Sequence, residues 1–90
     1  MLTKIAKIDR LGGHRLKFHF TDGSGGAFDF ASVVMSGGPM AEPLRDPVYF
    51  ARVFLEFGAP TWPNGYDMAP EWVRRELEAA GELKKRVAAQ

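Results

Sequence analysis

Residues 14–30 read His14-Arg15-Leu16-Lys17-Phe18-His19-Phe20-Thr21-Asp22-Gly23-Ser24-Gly25-Gly26-Ala27-Phe28-Asp29-Phe30. Leu16, Phe18 and Phe20 alternate with Arg15, Lys17 and His19. A period of two places the apolar three on one face of a strand and the basic three on the other. Thr21 to Gly26 is a run of turn formers. Ala27-Phe28-Asp29-Phe30 then alternates again, with Phe28 and Phe30 toward the core and Asp29 outward. The glycine run is not a phosphate-cradling loop, because no Lys-Ser/Thr follows it and the next element is a strand rather than a helix. Two antiparallel strands around a flexible turn are the natural reading.

Working outward, residues 2–9 form a weaker strand. Leu2, Ile5 and Ile8 break strict alternation, which a bulge or a strand apolar on both faces accounts for. Gly12-Gly13 supplies the turn into the next strand, giving a three-stranded meander. Residues 31–44 are irregular, with one helical turn available at Ala31–Met35 and a break at Ser36-Gly37-Gly38-Pro39. Asp46-Pro47 is a helix start, with Asp46 as the N-cap and Pro47 in the first turn of a short helix over 47–51. Residues 52–57 alternate as a fourth strand, while a helix through 47–57 fits the same aromatics. Ala69-Pro70-Glu71 opens the last helix, with Val73, Leu77, Ala80 and Val87 as its apolar stripe. Gly81 breaks or kinks it, leaving 82–90 as a second short helix or a frayed tail. Leu83 and Val87, beside Lys84-Lys85-Arg86, have few core positions left to fill and so favour a partner. The expected fold is a small α+β domain: a meander sheet of three to four strands packed against a C-terminal helix.

Ninety residues are one small domain. With 46% hydrophobic and 26% charged residues the composition is globular. Twelve Lys and Arg against 11 Asp and Glu leave a net charge of +1, so there is no general attraction to nucleic acid or anionic lipid. The charge is uneven: residues 1–20 carry a net +4 and residues 21–69 a net −4. There is no cysteine, which removes disulfides, thiolate nucleophiles and cysteine metal clusters. No secretory signal and no bilayer-length apolar run are visible, so a cytoplasmic, membrane-free protein is expected.

One order of motifs stands out. A strand ends Phe20-Thr21-Asp22-Gly23, a short apolar strand carries Phe28 and Phe30, and then come Leu44-Arg45-Asp46-Pro47 with Phe50, and Trp62-Pro63-Asn64-Gly65-Tyr66-Asp67. This order resembles the small bacterial family catalogued as domain of unknown function 2442. The family pattern runs strand, DG turn, strand, L-x-D-x-x-x-F and W-x-N-G-x-D. Here Asp22, Gly23, Leu44, Asp46, Phe50, Trp62, Asn64, Gly65 and Asp67 stand at those positions. The likeness covers roughly residues 3–72, which divides the chain into an α+β domain over 1–72 and a helical extension over 73–90. The resemblance implies a meander α+β domain with no established enzyme activity. It also implies frequent encoding beside another small protein, in pairs that look like toxin–antitoxin operons. The helix-turn-helix that sometimes follows the domain has no room in residues 70–90.

Candidate functional residues are few. His14 and His19 lie five apart, on opposite faces of a strand, and with no cysteine and no third histidine they make no metal site. The Trp62–Asp67 segment has two readings. As a recognition patch, Trp62 and Tyr66 offer apolar area while Asn64 and Asp67 fix geometry, with Arg45 and Asp46 nearby as further partner contacts. As architecture, which is preferred, Trp62 plugs the open end of the sheet, Asn64-Gly65 makes a left-handed turn, and Asp67 accepts backbone N–H bonds near the last helix. Arg15 and Lys17 are candidates for weak nucleic-acid contact, against a plainer reading in which Asp29 pairs with the basic row across the strands. No nucleophile or acid–base set converges, so no enzyme and no cofactor are expected. The leading expectation is a non-catalytic interaction domain with a protein partner, antitoxin-like in a two-protein operon. The alternative is a homodimeric regulatory or ligand-sensing domain with weak nucleic-acid contact.

Overall fold

The computed structural model describes residues 3–85. Three antiparallel strands open the chain: β1 (Ile5–Gly12), β2 (Arg15–Phe20) and β3 (Gly25–Asp29), in the spatial order β1-β2-β3. Leu16, Phe18 and Phe20 are buried, as the period of two requires. β1 runs further along the chain than its apolar residues suggest. Its register on β2 shifts between Ile5 and Lys7 and again between Arg10 and Gly12. The broken alternation is therefore bulging, which moves Ile5 and Ile8 opposite Phe20 and Phe18. Gly12 and Gly13 both take positive φ and close the β1–β2 turn.

After β3 come α1 (Ala31–Ser36), a 3₁₀ helix over Pro39–Arg45 and α2 (Pro47–Phe50). The 3₁₀ helix occupies a stretch expected to be irregular and buries Ala41 and Leu44. Asp46 caps α2 as expected, its side chain accepting from the Val48 N–H at 3.0 Å.

The fourth strand does not join the meander. β4 (Phe54–Glu56) pairs antiparallel with β5 (Ala59–Thr61) in a separate two-stranded sheet. Arg52 and Val53 are still held by the turn that follows α2, donating to the carbonyls of Tyr49 and Phe50. Only three residues remain extended before Phe57 and Gly58, both at positive φ, turn the chain back on itself. The β4 ladder is satisfied by β5, and the hairpin touches the meander through Ile5 N–H to the Gly58 carbonyl at 3.1 Å.

The last helix, α3 (Pro70–Ala79), buries Val73 and Leu77 against the sheet. Ala80 is exposed, not part of the stripe, because the helix ends before it. Gly81 stops the helix with φ +72. Glu82 N–H reaches back to the Leu77 carbonyl at 2.8 Å and Gly81 N–H to Glu78 at 3.1 Å, the paired bonds of a Schellman ending. The chain then reverses, and Lys84 pairs with Gly25 on the outer edge of β3 through bonds of 2.9 and 2.7 Å. Residues 82–84 thus form an edge bridge instead of the expected helix or frayed tail. Leu83 packs against the core, and Arg86 and Val87 lie outside the described residues.

The core is one cluster with Phe18, Phe30, Phe50 and Trp62 at its centre. Phe18 and Phe30 meet edge to face at 5.8 Å, and Phe50 and Trp62 are tilted at 42° with their centroids 5.4 Å apart. Bulky aromatics let a short chain bury a large apolar area with few residues. Among the described residues no helix is long and apolar enough to cross a membrane.

Candidate functional site

The Trp62–Asp67 loop is built around a buried indole. Trp62 is 1% exposed and its Nε1–H donates to the Phe50 carbonyl at 2.9 Å. Trp62 N–H bonds Tyr66 O and Gly65 N–H bonds Trp62 O, both at 2.9 Å, with Gly65 at φ +93. The turn expected at Asn64-Gly65 is therefore present. Asn64 holds it from both sides: Oδ1 accepts from Tyr66 N–H at 3.1 Å, and Nδ2 donates to the Met40 carbonyl at 2.9 Å. Tyr66 packs edge-on against Trp62. Asp67 takes a different position from the expected one: its backbone lies opposite Thr61, the pairing made by the flanking bonds Trp62 N–H to Tyr66 O at 2.9 Å and Met68 N–H to Pro60 O at 3.0 Å, and its side chain is exposed beside β5.

Arg45 and Asp46 sit on the far side of this loop's anchor. Arg45 donates from Nη2 to the Met35 carbonyl at 3.2 Å, satisfying a carbonyl at the end of α1. Asp46 is occupied as the α2 cap. Of the six residues singled out in the sequence as a partner patch, Trp62, Asn64, Arg45 and Asp46 spend their side chains on bonds within the fold, Tyr66 packs on Trp62, and Asp67 is exposed.

The basic face of β2 is arranged differently from its sequence reading. Asp29 stands opposite Arg15 in the register, yet its carboxylate accepts from Ala31 N–H at 2.9 Å and caps the turn into α1. The acid that pairs across strands is Asp9 of β1, which accepts from His19 Nε2–H at 2.7 Å with Lys7 Nζ at 3.6 Å. The hydrogen bond from His19 and then the Lys7 charge hold the Asp9 carboxyl below its usual range. Among the described residues neither Arg15 nor Lys17 makes an ion pair. His14 is separate: its Nε2–H donates to the Leu44 carbonyl at 2.9 Å and its ring meets Phe50 edge-on. No group of three or more metal-ligating side chains occurs among the described residues.

Asp22, Ser24 and Arg74 form a cluster at the β2–β3 turn. Asp22 Oδ1 accepts from both the Ser24 hydroxyl at 2.6 Å and the Ser24 N–H at 2.9 Å. Arg74 Nη2 approaches Asp22 Oδ2 at 3.1 Å, and Nη1 donates to Ser24 Oγ at 3.0 Å. The two bonds from Ser24, and then the Arg74 charge, pull the Asp22 carboxyl down to about 2. The guanidinium also lies over the Phe20 ring. The Ser24 hydroxyl donates to Asp22 and accepts from Arg74, so the cluster ties α3 to the β2–β3 turn.

The feature that sequence reasoning passed over is Phe57. It is 92% exposed and the sole non-glycine residue at positive φ among those described, at +54°. Phe54 on the same hairpin is also exposed. The signal was present as Phe57-Gly58 between two short apolar runs, a two-residue hairpin turn in which an asparagine or glycine is the usual first residue.

The Leu44–Phe50 segment and the Trp62 loop meet at the aromatic core, while the DG turn is tied to α3 through Asp22 and Arg74. A family model described as "Protein of unknown function (DUF2442)" matches residues 5–78. The chain belongs to this family. The match begins with β1 and ends within α3, so it includes Val73 and Leu77, the two helix residues that close the core. No curated protein and no solved structure matched the chain.

Proposed function

We propose that this member of the DUF2442 family is a non-catalytic protein-interaction domain that docks through the tip of its β4–β5 hairpin. The observation that carries the reading is Phe57. A single exposed apolar side chain is ordinary on a protein surface. An almost fully exposed phenylalanine held in the left-handed region is not, because the turn costs backbone strain and the ring gains nothing by burial within the chain. Glycine or asparagine fits that position without strain, so the ring is retained for something outside the domain. The finer reading, an antitoxin-like member of a two-protein operon in a bacterial cytoplasm, rests on the operon habit of the family that the motifs resemble. The engaged state of Trp62, Asn64, Arg45 and Asp46 supports a supporting role for that loop, with the contact surface displaced to the hairpin.

Size-exclusion chromatography with light scattering tests this on the chain alone and with the product of the adjacent gene. A stable hetero-complex that Phe57→Asn abolishes is expected. A chain that elutes unchanged beside its neighbour, or a complex indifferent to Phe57→Asn, overturns the reading.

One observation favours a second reading, a homodimeric regulator with weak nucleic-acid contact. Arg15 and Lys17 face outward from the sheet without an acidic partner among the described residues. Salt-sensitive binding to a short duplex, weakened uniformly by Lys17→Ala, is its signature.

A further inference from the structure

The outer face of the meander carries a trough of about 410 Å³. Lys17, His19 and Phe20 of β2, the Gly23–Gly26 stretch and Lys84 line it, and Gly25 is paired with His19 on one side and Lys84 on the other. Its origin is in the register. Gly25 lies opposite His19, and Gly26 and Ala27 opposite Phe18 and Lys17, so β3 presents almost no side chain beside a row of long ones. The return of residues 82–84 to the β3 edge supplies the far wall.

The charges around the trough are unbalanced. Two of the acids beside it are committed elsewhere: Asp9 holds His19 and Lys7, and Asp22 holds Ser24 and Arg74. Lys17 and Lys84 have no ion pair among the described residues. The backbone donors are also spent, Gly23 on Phe20, Ser24 on Asp22 and Gly25 on Lys84. An anion drawn to the trough must therefore be held by the two ammonium groups, one from each wall. Gly25 and Gly26 of β3 lack Cβ atoms and leave room for an apolar body to lie against the strand. The volume falls in the range of about 300–1,000 Å³ typical of small-molecule sites.

We propose that this trough binds a small organic oxyanion, a carboxylate or phosphate carried on a flat apolar body, with Lys17 and Lys84 holding the charged head. The site is independent of the hairpin tip and of any protein partner. It is also distinct from a diffuse basic face, because Arg15 shares the strand face with Lys17 but does not line the trough.

Backbone amide NMR on the full chain tests it with three probes: benzoate, phenyl phosphate and the neutral benzamide. Saturable shifts of the Gly23, Gly25, Gly26 and Lys84 amides are expected with benzoate, phenyl phosphate or both, and which of them saturates at lower concentration identifies the head group. Lys17→Met and Lys84→Met keep the aliphatic stem and remove one charge. Each is expected to weaken binding about tenfold, the loss of one charge-assisted hydrogen bond. Arg15→Met is expected to leave it unchanged. Unaltered spectra outside the trough show that the variants fold. The proposal is overturned if no probe saturates, if benzamide binds as well as benzoate, if both lysine variants bind like the parent, or if Arg15→Met weakens binding as much as they do.

Discussion

The Nε1–H of Trp62 donates to the carbonyl oxygen of Phe50 at 2.9 Å, and the two rings meet at 5.4 Å and 42°. One contact thus joins the Leu44–Phe50 segment to the Trp62 loop, which are separated along the chain by the β4–β5 hairpin. The same Phe50 ring touches His14 and Phe30. The most distinctive residues of the chain therefore meet at the junction of the sheet with the irregular segments that cover it. A short chain with little helix has few long interfaces, and an aromatic node with one buried donor satisfied by a backbone acceptor fixes the register of several loops at once.

Trp62→Phe removes that donor and part of the ring volume. The Phe50 carbonyl keeps its weaker bond from Val53 N–H at 3.3 Å, so the acceptor is not fully orphaned. A loss of about 2 kcal/mol is expected from one hydrogen bond plus a small cavity. Urea unfolding followed by far-UV circular dichroism measures it. A loss below about 0.5 kcal/mol would show that the loop is not held by this contact.

The Asp22 cluster predicts an acid-labile edge. The folded chain holds this carboxyl at about 2, against an ordinary 3.8 when unfolded. Its pKa is depressed, so the stabilisation is complete above the unfolded value and drains away as pH falls from about 4 to about 2. Asp9 is depressed too, first by its bond from His19, and adds a dependence of the same sign. Asp22→Asn is expected to flatten the fall in the urea midpoint between about pH 5 and pH 2.5. Asp9→Asn is expected to flatten it further. An Asp22→Asn curve parallel to the parent's would contradict the role of Ser24 and Arg74.

Gly26→Ala tests how the chain end is docked. A Cβ at this position collides with the Glu82 carbonyl, which is backbone and has nowhere to go while the Schellman ending holds. The 82–84 segment is expected to lift off β3 at a cost of about 1–3 kcal/mol. Hydrogen exchange at Gly25 reads it, since that amide donates to the Lys84 carbonyl. Protection there should fall by at least about tenfold while Phe18 and Leu16 amides keep theirs.

The parts of the fold legible in the sequence are those where local pattern and tertiary burial agree. The Leu16-Phe18-Phe20 alternation placed β2, and Asp46-Pro47 placed α2 to within a residue. What stayed hidden depends on contacts made at a distance. Val53, Leu55 and Phe57 alternate as well as any strand, yet nothing local reveals that β4 pairs with β5 and turns at Phe57-Gly58. Gly81 reads equally as a kink or a stop, and only the vacant β3 edge decides between them. Asp29 was the obvious acid for Arg15, but a carboxylate near a chain reversal finds the free N–H of Ala31 first. Among the candidate site residues, the chemistry of Trp62 and Asn64 was visible in the motif. Their inward direction followed from the aromatic node. Phe57 was missed because its significance is a backbone angle.

Phe57→Asn separates function from stability. The turn places Phe57 at φ +54 and Gly58 at φ +80, the signs required of a two-residue hairpin loop of type I′. Asparagine tolerates the left-handed region and phenylalanine pays for it with strain. Because the ring is almost fully exposed, its removal gives up very little burial. The variant is therefore expected to be more stable than the parent by about 1 kcal/mol in urea unfolding, while losing the hetero-complex with the neighbouring gene product. Phe57→Leu controls for the chemistry: it keeps an apolar side chain and the strain, so it should gain no stability and retain part of the binding. A Phe57→Asn chain that is less stable than the parent would mean that the ring packs within the domain. The argument for an outside partner would then lose its foundation, because a residue kept against the preference of its own turn needs a benefit, and that benefit would have been found at home.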